Sequence, residues 1–327
     1  MIDIYGTLGP SCAKAETLEE MFRLGMTGLR LNLSHVTLPE AAPLIEALHT
    51  AASRAGVRPK LLIDMQGPEV RVGAFPQPLP LVEGETVAPE ALRLPESVLR
   101  ALEPGQELLL DDGKLLLTVV RGGKAHVNRG GILQSRKSVA LPGREIRLPA
   151  LTETDRKNIA AARKHGVRAL MQPFVRSRED LEEVRGALRE AGCPGIRLLT
   201  KIENREGLKH LPELIAGCDE IVVARGDLGN AMPLWELPAA QKHIAARCRE
   251  AGRDFMVVTQ MLASMEQNPV PTRAEVSDIF NAVLDGAASV MLTGETAAGR
   301  YPAESIRVLT ETVRQAERYR KEEGERK

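Results

Sequence analysis

The sequence predicts an α/β fold, a (β/α)8 TIM-type barrel with a small all-β domain inserted in the third βα loop. Eight short apolar or β-branched runs each lead, sooner or later, into a stretch with helical periodicity, the pattern of parallel strands joined by crossover helices. A long break separates the third run from its helix. It holds short alternating segments with turn signals instead of a long amphipathic helix. No G-x-G-x-x-G follows the first strand, which argues against an open doubly wound sheet.

The elements follow in order. Residues 4–9 (IYGTLG) read as strand one and 15–25 as a helix ending at Gly25. Residues 28–34 (GLRLNLS) read as strand two; the helix over 38–56 starts late or bends, because Pro43 lacks the N–H that an interior turn needs. Residues 60–66 (KLLIDMQ) are strand three. The break then carries ELLLDDGKLLLTVV (107–120), with Asp112–Gly113 as a hairpin turn, and RGGKAHVN (121–128). The proline-flanked stretch 139–151 is a returning hinge. A helix over 152–166 has Thr152 as N-cap and an acid three residues on. Strands at 168–174, 196–203, 220–226, 254–260 and 289–295 then alternate with helices at 178–192, 206–217, 238–252, 272–286 and 302–323; the fourth of these opens on the capping box Thr272–Glu275. The expected organisation is barrel (1–73), inserted β-barrel-like lid domain (74–141) and barrel again (142–327).

Composition narrows the function classes. Lys plus Arg and Asp plus Glu both total 44, so the net charge is zero, and neither nucleic acid nor an anionic membrane is expected as main partner. Aromatics at 3% offer no stacking platform for bases. The four cysteines form no C-x-x-C pair and read as reduced structural thiols, with a cytoplasmic location expected. The first residues, MIDIYGTLGP, lack the basic start and apolar run of a signal peptide, and no stretch approaches 18 apolar residues.

The polar residues gather at strand ends, where barrels of this kind hold their chemistry. Strand two carries Arg30, Asn32 and Ser34 on one side, strand three ends in Asp64, and strand five in Lys201 and Glu203. Strand six ends in Arg225, Gly226 and Asp227, strand seven in Thr259, and strand eight in Glu295. Side chains two apart on a strand point the same way, so Lys201 and Glu203 share a face. Alone, K-x-E is most simply an ion pair, a strand-end arginine a solvated rim residue, and the Asp of GDLG a helix N-cap. Convergence of six strand ends favours a site. Glu203 and Asp227 are hard oxygen ligands suited to one Mg²⁺ or Mn²⁺ that keeps waters and substrate oxygens. Lys201 and Arg30 would add fixed cations, and the Gly226–Asp227 amides would favour an anionic group. Asn32, Ser34 and Asp64 have the look of a monovalent-cation site. The set suits a small polyanion, with phosphoryl transfer or enolate stabilisation as the work.

The segments GTLGPS (6–11), RLNLSH (30–35), DMQGPEVRVG (64–73), TKIENREG (200–207), VVARGDLG (222–229), VTQMLASM (258–265), PTRAEVSDIFNAVLDG (271–286) and MLTGETAAGRYPAE (291–304) resemble the pyruvate kinase family in order and spacing, over essentially the whole chain. The resemblance implies a barrel with a mobile β lid, transferring phosphate from phosphoenolpyruvate to ADP and giving pyruvate and ATP. It implies Lys201 as the lysine facing the transferring phosphoryl, Glu203 and Asp227 as Mg²⁺ ligands, and Arg30, Gly226 and Thr259 as phosphoenolpyruvate contacts, with Thr259 near the face where the enolate is protonated. It implies K⁺ held by Asn32, Ser34, Asp64 and the carbonyl of Met65, with Glu69 fitting the K⁺-dependent branch, and nucleotide contacts from Asn32, His35, Arg71 and Lys137.

Departures from the family pattern are Met65 and Gln66 where Thr and Lys are usual, Pro173 for Ser, Ala231 for Glu and Ala140 for Asn. The chain stops after the eighth helix, where the resemblance implies a further C-terminal domain, so control through that domain is not expected; a homo-oligomer is compatible with the pattern. Two other functions fit the same residues: a metal-dependent lyase or decarboxylase acting on a pyruvate-like oxoacid through an enolate, and a non-catalytic metabolite-binding paralogue. On the kinase reading Lys201 faces developing phosphoryl charge instead of pairing with Glu203, and as a rim residue it should matter little to stability.

Overall fold

The computed structural model describes residues 2–34, 36–111, 113–144 and 148–325. The chain forms two compact units. One comprises Met1–Gly67, Ala150–Arg225 and Pro238–Lys327; the other, Pro68–Pro149 and Gly226–Leu237.

The first unit is the expected closed barrel. Its eight strands, numbered one to eight here, are Asp3–Thr7, Gly28–Asn32, Lys60–Asp64, Ala169–Gln172, Arg197–Ile202, Glu220–Ala224, Asp254–Val258 and Ser289–Met291. Each pairs in parallel with its neighbours in chain order, and strand one closes the ring on strand eight through Asp3 opposite Ser289 and Tyr5 opposite Met291. Alternation sets the interior: Tyr5, Leu62, Ala169, Met171, Leu199, Val222, Ala224, Met256, Val258 and Met291 form one buried cluster. Truncating one of the large members, such as Leu199, to alanine costs about 2–5 kcal/mol, because a closed ring cannot collapse onto the hole.

Helices end where their residues dictate. Thr152 and Thr272 close reciprocal capping boxes with Asp155 and Glu275, as their spacing predicts. Pro43 delays the second helix to Ala42–Arg54. The helix expected over 206–217 is instead two pieces, Arg205–Lys209 and Leu211–Gly217, broken at His210 ahead of Pro212, which has no N–H to continue the ladder. Strand six stops at Ala224, two residues before the expected strand end, and the next helix, Arg225–Asn230, follows at once. Among the described residues no helix is long and apolar enough to cross a membrane.

The second unit is largely antiparallel. A five-stranded sheet runs in the order Val139–Ala140, Glu107–Leu110, Leu115–Val119, Ala125–Arg129 and Thr86–Val87, beside a pair formed by Leu79–Leu81 and Gly131–Leu133. Asp112 of the expected hairpin turn lies outside the described residues. Leu108, Leu110, Leu115, Leu117, Val119, Ala125 and Val127 alternate into a core of this unit's own. The short helical turns Pro89–Leu92 and Glu96–Leu99, too brief to show periodicity, cap that core with Leu92 and Val98.

Candidate active site

At the C-terminal end of the barrel the inward positions change from apolar to charged. Thr7 continues the phase of Tyr5, Asp64 that of Leu62, and Lys201 and Glu203 that of Leu199. The structure therefore gathers Thr7, Arg30, Asp64, Lys201 and Glu203 above the hydrophobic layers. Asp64 is the hub. Its Oδ2 accepts from Arg30 Nε at 2.8 Å and lies 2.7 Å from Arg30 Nη2 and 3.3 Å from Lys201 Nζ. Arg30 Nη1 also reaches the Thr7 hydroxyl at 3.3 Å. Burial alone would push the Asp64 carboxyl up; Lys201 and Arg30 outweigh it and hold the group below the usual aspartate range. Asp64 Oδ1 is buried and accepts no hydrogen bond among the described residues.

Lys201 and Glu203 meet at 2.8 Å, with side chains only 14% and 1% exposed. Two sequence expectations change here. The two residues do form an ion pair, and Lys201 is no solvated rim group but the counter-charge to two buried carboxylates. Glu203 is held from its other side by the Phe174 amide, which donates to Oε2 at 2.7 Å. Asn32 Oδ1 accepts from the Ser34 amide at 3.1 Å, so these two share a turn directly after strand two.

The loops that follow the strands are fixed by side chains whose sequence context reads as solvated. Arg225 does not project as a rim residue. Its guanidinium donates to the carbonyls of Val258 and Thr259 and pairs with Asp278 at 2.6 Å. Glu295 is likewise buried; it accepts from the amides of Leu262 and Thr293 at 2.9 and 2.8 Å and so ties the loops after strands seven and eight together. Asp155, fully buried, accepts from the amides of Gln66 and Gly67 at 2.9 and 3.0 Å and fixes the exit from strand three. Phe174, Thr259 and Gln260 all have positive φ, at 53°, 75° and 54°. For a β-branched residue such as Thr259 that backbone costs on the order of 1–3 kcal/mol, so its surroundings must hold it.

Gly226 and Asp227 belong to the second unit and occupy the first turn of Arg225–Asn230. Within that unit Arg71 and Lys137 lie on paired segments: Arg71 bridges Ser138, and the Val72 amide donates to the Lys137 carbonyl at 2.9 Å. Arg71 pairs with Glu69 at 2.7 Å and Lys137 with Asp111 at 2.9 Å. His35 lies outside the described residues. Among the described residues no group of three or more His, Cys, Asp or Glu side chains could enclose a metal, so any ion at this mouth would draw on water, substrate or carbonyl oxygens as well.

Fold and mouth together define a (β/α)8 barrel protein with its charged site at the C-terminal strand ends. The family model for the pyruvate kinase barrel domain matches residues 1–306, and the chain belongs to the pyruvate kinase family. It is 39% identical to pyruvate kinase PKLR of Homo sapiens, over 96% of this chain and 59% of that protein. It is 38% identical to the pyruvate kinase of Methylorubrum extorquens, over 96% of this chain and 68% of that one, and 36% identical to that of Geobacillus stearothermophilus, over 94% and 55%. The chain thus spans little more than half the length of some curated relatives it matches.

Proposed function

We propose that this chain is a phosphotransferase that moves the phosphoryl group of phosphoenolpyruvate to ADP, with Mg²⁺ and K⁺. The observation that carries this reading is the convergence of Arg30 and Lys201 on one buried oxygen of Asp64 beside the buried Glu203. Two cations held against low-dielectric walls are pre-aligned for a small polyanion and need little reorganisation when charge develops.

In the reaction the bridging P–O bond to the enol oxygen breaks, a P–O bond to the terminal ADP phosphate forms, and the released enolate takes a proton at its methylene carbon. Lys201 would face the equatorial phosphoryl oxygens, where negative charge builds. Arg30 would hold the phosphate, Gly226 would offer its amide to the substrate, and Thr259 would stand on the side where the enolate is protonated. Glu203 and Asp227 would hold Mg²⁺, which supplies charge compensation to phosphoryl and enolate oxygens when bound. Their hard oxygens, and the closeness of Lys201 as an alternative counter-ion, fit a divalent cation. Asp64 Oδ1, which accepts no hydrogen bond among the described residues, fits a monovalent cation shared with Asn32, Ser34 and the Met65 carbonyl. Asn32, His35, Arg71 and Lys137 would meet the nucleotide.

A coupled assay for ADP-dependent pyruvate release, with both cations supplied, tests the reading; no release would end it. Activity should fall when tetramethylammonium replaces K⁺, and an unchanged rate would remove the monovalent-site assignment.

A further inference from the structure

Met256 and Val258 point into the barrel, so a strand that simply continued would aim Thr259 outward, toward the helix layer. The chain does not continue. Thr259 and Gln260 take left-handed φ in succession, without a glycine at either position. Two anchors grip this turn. Glu295 accepts the Leu262 amide beyond it. At the turn itself Arg225 spreads its guanidinium over three groups: Nε to the Val258 and Thr259 carbonyls, each at 3.2 Å, and Nη2 to the Thr259 carbonyl at 2.7 Å and the Met261 sulfur at 2.9 Å. Nη1 is pinned by Asp278 at 2.6 Å, and the side chain is 12% exposed. A rigid planar fork is needed for this; a lysine offers one charged point and cannot span the same groups.

We infer that Arg225 is a positioning residue: it forces the left-handed turn that breaks strand alternation and thereby presents Thr259 to the reacting substrate. The inference rests on the reading of Thr259 given under the proposed function. Without Arg225 the turn relaxes toward extended backbone and Thr259 rotates toward the helix layer, while Lys201, Asp64 and Glu203, on other strands, keep their places.

The experiment uses the full chain with Arg225→Gln, Arg225→Lys, and Arg225→Gln combined with Gln260→Gly. Two readouts are taken: steady-state kinetics, and amide hydrogen exchange over residues 259–262. Arg225→Gln should lower kcat on the order of 10²-fold, the cost of a small misplacement, while KM for phosphoenolpyruvate moves less than about twofold. Exchange over 259–262 should quicken. Arg225→Lys, which keeps the charge but not the fork, should fall between; it also serves if Arg225→Gln does not fold. Glycine at 260 accepts left-handed φ freely and should restore part of the lost kcat. Unchanged exchange over 259–262, a loss confined to KM, or no rescue by Gln260→Gly overturns the inference. A wild-type chain without turnover overturns the phosphotransferase reading, and with it the presentation of Thr259 to substrate; the exchange result still decides whether Arg225 holds the turn.

Discussion

The two ends of the barrel are both rich in charge, yet they are built differently. Strands one, three, five, six, seven and eight begin with Asp3, Lys60, Arg197, Glu220, Asp254 and Ser289, and these satisfy one another across the N-terminal face. Lys60 pairs with Asp3, Arg197 lies 3.2 Å from Glu220 and 3.6 Å from Asp254, and the Ser289 hydroxyl donates to Glu220. Backbone bends on that side fall on glycine: the helices before strands two and eight close with Gly25 and Gly286 at positive φ, each donating to the carbonyl three residues back. At the C-terminal end two cations crowd one oxygen of Asp64 while its other oxygen has no hydrogen bond among the described residues, and beside Gly67 the left-handed residues are Phe174, Thr259 and Gln260, which carry side chains. Charge alone therefore does not mark the site. A buried carboxylate oxygen without a hydrogen bond and left-handed backbone on side-chain-bearing residues do.

Perturbing each end should separate the two designs. The largest effect is expected from Lys201→Met, which should lower turnover by on the order of 10²–10³, as for loss of one electrostatic donor. It should also cost about 3 kcal/mol or more of stability in metal-free buffer, because Asp64 and Glu203 lose a shared buried counter-charge. Urea denaturation of both proteins checks the second half; equal midpoints would return Lys201 to the status of a solvated rim group. Next, Glu203→Gln and Asp227→Asn should each weaken Mn²⁺ binding at least tenfold, roughly the scale of losing even a supporting group around a metal, as followed by electron paramagnetic resonance. Near-normal binding in either variant removes that residue from the metal assignment.

At the opposite face, Arg197→Met should leave kcat and KM within about twofold and cost about 1–3 kcal/mol, since losing this arginine, though its side chain is 41% exposed, leaves the buried Glu220 without its cation. A large kinetic change there would erase the contrast between the ends. The smallest effect concerns pH. Burial raises the Glu220 carboxyl above the usual glutamate range, against the Ser289 hydrogen bond and Arg197, with Asp254 and Asp3 adding to the rise. A raised folded-state value means the folded protein binds this proton more tightly; the contribution is full below the unfolded-state pKa and is lost as pH rises through the folded one. Glu220→Gln removes that loss, so its melting temperature relative to wild type should climb with pH across that window. A flat difference would show that Glu220 does not titrate differently on folding.

Much of this was legible in residue order. Apolar runs with period-two alternation put Arg30, Asp64, Lys201 and Glu203 at strand ends, which a closed barrel brings to one rim. Arg225 and Glu295 were not legible in the same way. A strand-end arginine reads as solvated until the barrel brings Asp278, 53 residues away, beside it. Glu295 reads as a mouth acid until the loop carrying Leu262 folds over it. The network of Glu220, Ser289 and Arg197 is hidden in the same way, since each polar residue merely looks like the start of a strand. Backbone conformation was the least visible layer: nothing in Val258–Thr259–Gln260 announces a left-handed turn, because Arg225 and Glu295, which hold it, lie far away in the chain.

Ring closure also has a consequence for how the protein is made. The Thr7 hydroxyl donates to the carbonyl of Leu292, 285 residues later. At roughly 5–20 residues per second a ribosome needs on the order of 15 s to a minute to deliver that partner. Through this time strand one can pair with strand two, but its other edge stays open, a template for unwanted strand addition. The nascent chain is a growing sheet with two unsatisfied margins, and only the last strand removes both at once. Its demand for protection during synthesis is thus set by ring topology, whatever chemistry the finished mouth performs.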